Sequence, residues 1–238
     1  MTSIDPQTSL GDLVTRRPDL ASLLDRLGLD YCCGGQRALR DAAGEAGFDL
    51  DAVIEQINAV PEPSAPVPWA DLGPAELVDH LEATHHAYLR EALPRLDALA
   101  AKVADVHGDR HPELVEVDAL LRELRSELEP HMAKEEQVLF PMVRTLATAD
   151  SPPAFHCGSL ANPVSVMLAE HDRAGYLLDR LRSTAEEYHV PEDGCASYQA
   201  LYRGLEELEA DTHLHVHKEN NLLFPAVLDA ERALAGDH

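Results

Sequence analysis

Histidine and glutamate recur at a four-residue spacing in two segments that share an unusual sequence. The first segment begins at His131 and reads HMAKEEQVLFPMV, and the second begins at His215 and reads HVHKENNLLFPAV. Residues four apart lie on the same face of an α-helix, so His131 points the same way as Glu135. His215 and Glu219 repeat this arrangement. Each pair therefore predicts an imidazole and a carboxylate that can chelate one metal ion.

One further histidine precedes each pair at nearly the same distance along the chain, His86 before His131 and His171 before His215. Four imidazoles and two carboxylates are too many ligands for one tetrahedral zinc ion, and they suit two octahedral or five-coordinate first-row ions. We therefore predict two irons bridged by both glutamates, with positions left for a bridging oxygen species or a diatomic ligand. Spacing alone leaves His85 and His86 as alternatives.

Two other histidines lie close to this pattern but off its face. His213 and His217 are displaced from His215 by roughly 200° around a helix of 3.6 residues per turn. We therefore predict that both side chains face solvent.

The cysteines suggest a second chemistry. Cys32 and Cys33 are adjacent in the segment DYCCGGQ, and adjacent cysteines form only a strained disulfide and chelate one ion poorly, so buried structural cysteines are one interpretation. The following Gly-Gly pair favours another, because it lets the backbone approach a second surface closely and present a thiolate there. Cys157 and Cys195 lie alone in predicted connecting loops, and no role is expected for them.

The elements that position these residues are predicted to be helices. Apolar residues recur at three- and four-residue spacing, and strand-like alternation is scarce, which indicates an all-α protein. Four long helical patterns, joined by short or medium connections, favour an up-down four-helix bundle. Pro141 and Pro225 are predicted to kink their helices at corresponding places. The four patterns cover roughly residues 74–106, 112–148, 163–189 and 197–234.

A proline-rich segment divides the chain. We predict a small helical N-terminal domain over residues 1–59 that bears the cysteine turn, a linker over 60–73, and the bundle over 74–235. Within the first domain, Ser9 is a predicted N-cap for a helix running toward Leu27. A second predicted helix, in FDLDAVIEQINAV, ends before Pro61.

Composition restricts the partners. The 43 acidic residues outnumber the 19 basic ones, and the formal net charge of −24 disfavours nucleic acid and anionic membrane surfaces as partners. The first residues lack the pattern of a secretory signal, and no run of about 18 apolar residues occurs. Four cysteines make no disulfide framework. We therefore expect a cytoplasmic protein.

The segments DYCCGGQ, HMAKEEQVLFPMV, PVSVMLAEHDRAGYLL and HVHKENNLLFP together resemble the RIC (repair of iron centres) family, the YtfE/ScdA di-iron group. The resemblance runs from about Leu10 to Leu228. It implies a hemerythrin-like bundle after an ScdA-type domain, and it favours His86 over His85. It also implies a functional pair at Cys32 and Cys33, acidic residues near the site at Glu127 and Glu170, and metal ligands at His86, His131, Glu135, His171, His215 and Glu219.

The resemblance further implies a function. The expected protein holds two non-haem irons (Fe²⁺/Fe³⁺) with a bridging oxo or hydroxo ligand, and it serves the nitrosative and oxidative stress response. It repairs damaged iron–sulfur clusters by supplying iron or removing nitric oxide, so damaged iron–sulfur proteins are its clients and nitric oxide or dioxygen its small ligand. The alternatives are reversible binding or sensing of dioxygen or nitric oxide, and nitric oxide reduction. The sequence is equally compatible with domains that meet within one chain and with a homodimer that exchanges them.

Overall fold

The structure, a computed structural model, describes residues 4–61, 69 and 71–236. The described residues form α-helices joined by short turns, which confirms the prediction of an all-α protein. The helices are α1 (Leu10–Arg16), α2 (Ala21–Arg26), α3 (Leu39–Glu45), α4 (Leu50–Ala59), α5 (Pro74–Leu81), α6 (Ala87–His107), α7 (Glu113–Lys134), α8 (Phe140–Ala147), α9 (Ala161–Thr184), α10 (Ala196–Lys218) and α11 (Phe224–Ala235).

The chain forms two compact units. The first unit comprises Met1–Val78, Val143–Ala154 and His213–His238. The second unit comprises Asp79–Met142 and Phe155–Thr212. None of the described helices combines the length and apolar character needed to span a bilayer.

The second unit is built around one apolar core. Residues from α6, α7, α9 and α10 share it, with Leu93, Leu124, Leu178 and Leu205 at 0–1% exposure. Each of these helices contributes apolar residues three or four positions apart, so one stripe of each helix faces the common core. This is the predicted four-helix bundle, in which the core fixes the rotation of every helix and hence the direction of its polar ligands.

The first unit has a separate core. Leu24, Leu39 and Ile57 are fully buried in it, and Val216 of α10 packs in the same cluster. Burial of these side chains, each contributing about 1.5–3 kcal/mol on transfer from water, holds the short N-terminal helices against the end of α10 within this unit.

The N-terminal helices begin as predicted but end differently. The amide of Asp12 donates a hydrogen bond of 3.1 Å to Ser9 Oγ, so Ser9 caps α1. The predicted run toward Leu27 is nevertheless broken at Arg17, which is non-helical with φ −136° and ψ 70°. The cause is Pro18, because a proline disfavours the α conformation of the residue before it.

Three π-helical turns interrupt the long helices, at Glu82–His86, Glu135–Leu139 and Glu219–Leu223. Each π-turn widens the hydrogen-bond spacing by one residue relative to the α-helix. The second and third lie directly before the Phe-Pro pairs at Pro141 and Pro225, and proline has no N–H to donate to the preceding turn. The departure from α-helix that proline predicts therefore lies in the five residues before Phe140 and Phe224.

The third long pattern is shorter than predicted. The sequence pattern continues to residue 189, but α9 ends at Thr184. Glu186, Glu187 and Tyr188 adopt φ values between 50° and 61°, which a right-handed helix does not allow. Of the predicted linker, residues 62–68 and 70 lie outside the described residues, and the domain boundaries remain predictions.

Candidate metal centre

Glu135 lies at the centre of a buried cluster in the second unit. It opens the π-turn after α7 and is fully buried. Its Oε2 is 3.3 Å from His86 Nε2, and its Oε1 is 3.3 Å from His131 Nε2. Because each carboxylate oxygen faces a different imidazole, this side chain could contact two ions at once.

His171 of α9 adds a second imidazole beside His131. The Nε2 atoms of the two rings are 3.2 Å apart, and the ring centroids are 4.9 Å apart at an interplanar angle of 65°. Both rings are at most 3% exposed. Two ring nitrogens that converge at this distance can occupy neighbouring positions on one first-row ion.

His215 and Glu219 repeat the imidazole–carboxylate pair in the first unit. His215 Nε2 is 3.4 Å from Glu219 Oε1, and both side chains are at most 1% exposed. Glu219 opens a π-turn, as Glu135 does. The duplicated sequence therefore adopts duplicated local geometry.

The buried ligand atoms lie close together within each unit. In the second unit, those of His131, Glu135 and His171 lie within 4.8 Å of one another, as do those of His86 and Glu135. In the first unit, those of His215 and Glu219 do so as well. The donors are imidazole nitrogens and carboxylate oxygens, which suit first-row ions such as iron.

An outer carboxylate orients His86. The Nδ1–H of His86 donates a hydrogen bond of 2.7 Å to Glu136 Oε1, which leaves Nε2 directed at Glu135. Arg90 pairs with the same carboxylate. Although partial burial acts to raise it, the hydrogen bonds from His86 and Arg90 lower the pKa of Glu136 below its usual value. The carboxylate therefore stays ionised and fixes the tautomer of the ring.

A second outer carboxylate orients His131 in the same way. The Nδ1–H of His131 donates to Glu170 Oε2 at 2.9 Å, and Lys134 pairs with Glu170. Burial acts to raise the pKa of Glu170, but the hydrogen bonds from Lys134 and His131 lower it overall. Glu170 thus contacts His131, whereas Glu127 is exposed on α7. The carboxylate beside His86 is Glu136, which the sequence interpretation overlooked.

The spacing alternative His85 has another partner. Its Nδ1–H donates to Asp211 Oδ1 at 2.9 Å, and the ring is 4% exposed. His86, by contrast, lies beside Glu135.

The prediction that His213 and His217 face solvent is wrong for His217, which is fully buried in the first unit. Its Nδ1–H donates to the Tyr31 carbonyl at 3.4 Å, and its Nε2 accepts from Thr15 Oγ at 3.3 Å. Burial lowers the pKa of His217 to about 4. His213 is half-buried and donates to Asp25 at 2.9 Å. The helical angle places both rings away from His215, but N-terminal residues cover that face.

The cysteine turn is organised by Asp30. The amides of Cys32, Cys33 and Gly34 donate to its carboxylate at 2.8–3.1 Å. The Cys32 and Cys33 sulfurs are 4.0 Å apart, and together with Asp30 they form a group whose ligand atoms lie within 4.8 Å. The hydrogen bond with Cys33, then burial and the nearby charge of Asp30, raise the pKa of Cys32 well above its usual value. Cys32 is therefore held as a thiol, and Cys33 is the more exposed of the two.

Asparagines next to Glu219 bind this turn within the first unit. Asn221 Nδ2 donates to the carbonyls of Tyr31 and Cys32 at 3.2 and 3.1 Å, and Asn220 Nδ2 donates to that of Cys32 at 3.2 Å. Gly35 makes the approach possible, because a Cβ there would lie 2.4 Å from Asn221 Oδ1.

A four-helix bundle with buried histidines and glutamates on facing helices defines a hemerythrin-type cation-binding protein. Residues 77–227 match the family described as Hemerythrin HHE cation binding domain, and residues 6–61 match ScdA_N, a domain of unknown function (DUF542). The chain is 37% identical over 229 residues to the iron-sulfur cluster repair protein YtfE of Enterobacter sp. (strain 638), covering 96% of this chain and 97% of the relative. The same protein of Escherichia coli O81 (strain ED1a) is 36% identical over the same shares. The chain therefore belongs to the YtfE family of hemerythrin-type proteins, as its motifs predict.

Proposed function

We propose that this protein holds two iron ions in the buried histidine–glutamate cluster and repairs damaged iron–sulfur clusters. The observation that carries the proposal is Glu135, whose two carboxylate oxygens each face a different imidazole at 3.3 Å. A carboxylate with one oxygen on each side is suited to two ions about 3.5–4 Å apart. The names of the relatives support the choice of iron–sulfur cluster repair.

The residues present fit iron. Imidazole and carboxylate donors suit Fe²⁺ and Fe³⁺, and none of the six is a thiolate that would favour copper(I). His86, His131 and His171 would present Nε2 to the ions, with Glu135 and Glu219 as bridges and His215 completing the set. Bound iron would supply a redox-active centre able to take up nitric oxide or dioxygen, or iron for a damaged cluster.

The protein's own side chains have two tasks in this proposal. Glu136 and Glu170 accept hydrogen bonds from the Nδ1–H groups of His86 and His131, so the opposite nitrogens remain available as ligands. The Cys32–Cys33 turn, bound by Asn220 and Asn221, adds a thiol pair in the first unit. We propose that this pair takes part in exchange with a client or a small ligand, with damaged iron–sulfur proteins as the clients.

Iron counting separates the parts of this proposal. After anaerobic loading and desalting, the parent protein should retain close to two irons per chain. Glu135→Ala should lose most of the iron because it removes the bridge, whereas Glu127→Ala, an exposed position on α7, should retain both ions. One ion per chain in the parent, or equal retention in the two variants, would contradict the two-iron site.

Repair is tested separately with an iron–sulfur enzyme inactivated by nitric oxide. The loaded parent should restore its activity, and the iron-depleted Glu135→Ala variant should not. Replacing both Cys32 and Cys33 by alanine should leave the iron content unchanged but reduce the repair. Full repair by that double variant would show the cysteines to be structural, and a loss of iron from it would place them in the metal site.

A further inference from the structure

Cys195 stands apart from the metal centre and has a specific environment at the start of α10 in the second unit. Its carbonyl accepts the amide of Gln199 at 3.0 Å, which makes Cys195 the cap of a 23-residue helix. The amides of Tyr198 and Ser197 point at its sulfur and, with some help from Lys102, lower the pKa of the thiol. Helix N-termini favour negative charge because their first amides are unbonded.

A buried imidazole also faces the sulfur. His107 Nε2 is 3.1 Å from Cys195 Sγ, and the His107 side chain is 5% exposed. Arg110 donates to His107 Nδ1 at 3.4 Å. Because a guanidinium only donates, Nδ1 is the acceptor and the ring proton lies on Nε2, directed at the sulfur. Through this N–H, His107 donates to the sulfur and stabilises its anionic form.

Asp193 is paired with two neighbouring side chains. Arg110 binds its Oδ2 at 2.9 Å, and His111 binds its Oδ1 at 3.0 Å. The rings of His107 and His111 both pack on Tyr198. Among the described residues, Cys195 and His107 belong to no group of metal-sized dimensions. The geometry therefore favours thiol chemistry over metal binding.

Cys195 itself is exposed, whereas His107 is buried beneath it. A thiolate supported by helix amides and an imidazole N–H, and open to solvent, has the environment of reactive cysteines. We propose that Cys195 is a reactive thiolate that forms mixed disulfides with low-molecular-weight disulfides, a modification site independent of the metal centre. The thiolate attacks one sulfur of the disulfide, a Cys195–sulfur bond forms as the original sulfur–sulfur bond breaks, and the second half leaves as a thiolate that takes a proton from water.

The same chain offers a reference thiol. Cys157 is partly exposed, and its sulfur contacts the Ser159 carbonyl at 3.6 Å. Each unit by which a thiol pKa falls raises the thiolate fraction about tenfold, and the accompanying loss of nucleophilicity leaves a net gain of about threefold. We therefore expect Cys195 to react at least about threefold faster than Cys157 at pH 7.

The experiment treats the full-length protein with oxidised glutathione, and in parallel with iodoacetamide, and follows each cysteine by peptide mass spectrometry from pH 5 to 9. His107→Phe keeps a ring against Tyr198 but removes the N–H, and it should lower the Cys195 rate at least about threefold. His111→Asn is the matched control, since His111 packs on the same tyrosine without facing the sulfur, and its rate should be unchanged.

Arg110→Gln covers the case in which His107→Phe does not fold. The Arg110 side chain is 61% exposed. Without its hydrogen bond, the proton of His107 is no longer held on Nε2, so the Cys195 rate should fall by a smaller factor. Cys195 reacting no faster than Cys157 would overturn the proposal. An unchanged Cys195 rate in a folded His107→Phe variant would also overturn it. If His107→Phe does not fold, an unchanged rate in Arg110→Gln would overturn it instead.

Discussion

Replacing Glu136 should loosen iron without removing any ligand. Glu136 accepts the Nδ1–H of His86 at 2.7 Å and pairs with Arg90, so it sets both the tautomer and the direction of the ring. Loss of such an outer partner typically lowers metal affinity 10–100-fold, or about 1.4–2.7 kcal/mol. Two variants of Glu136 should fall at opposite ends of this range.

Glu136→Gln retains a carbonyl oxygen that can accept from His86 but loses the negative charge beside Arg90. We expect it to fall near the tenfold end. Glu136→Ala removes the acceptor as well, leaves the buried Nδ1–H without its carboxylate, and should fall near the hundredfold end. Glu127→Gln and Glu127→Ala are matched controls because Glu127 is exposed on α7.

The measurement is a competition for Fe²⁺ between each protein and a chromogenic chelator under anaerobic conditions, with far-ultraviolet circular dichroism to verify the fold. The parent and both Glu127 variants should hold iron equally. If Glu136→Ala remains within twofold of Glu127→Ala, His86 does not depend on Glu136 and the orienting role is wrong. A Gln variant weaker than the Ala variant would also contradict the graded expectation.

Two further predictions concern the first unit. Gly35→Ala should lower its free energy of unfolding by about 1–3 kcal/mol, because the added Cβ would lie 2.5 Å from the Tyr31 carbonyl, whereas Gly44→Ala, with no atom within 4 Å, should be neutral or stabilising in thermal unfolding. Since the pKa of His217 is lowered from 6.5 to about 4 by burial, the unfolded state binds its proton first. The contribution of His217 to the free energy of unfolding should therefore be fully present above pH 6.5 and fall by about 3 kcal/mol toward pH 4. Denaturant titrations at several pH values should show a smaller pH dependence in His217→Gln.

Helical periodicity accounts for what the sequence could predict. Ligands four apart on one helix, such as His131 and Glu135, are visible because the pattern and the geometry share one period. Duplication supplies the rest, since it identifies two equivalent pairs. The family resemblance favours His86 over its neighbour, which spacing alone does not, and in the structure His86 faces Glu135 whereas His85 faces Asp211.

The partners of these ligands could not be read in the same way. Glu136 and His86 are 50 positions apart in the sequence, and the periodicity of a helix does not show which other helix it packs against. His217 shows the same limit, because the helical angle gives its direction but not the N-terminal residues that bury it. Pro18 by itself predicts the break at Arg17. The apolar periodicity of the same segment predicts a continuous helix instead. Cys195 lies alone in a predicted loop, and its partner His107 is 88 positions away in the sequence, so the sequence pattern does not pair them.

The π-turns at Glu135–Leu139 and Glu219–Leu223 also bear on dynamics. Both carboxylates proposed as bridges are fully buried, so an ion would reach them only when part of the surrounding structure opens. Wide turns have poorer hydrogen bonds than an α-helix and are natural places for local, sub-global opening. Amide hydrogen exchange should then be faster in these turns than in the leucine core, which should stay protected. The proposed ligands would thus lie where the helices open most readily, which would reconcile a closed site with an exchangeable metal.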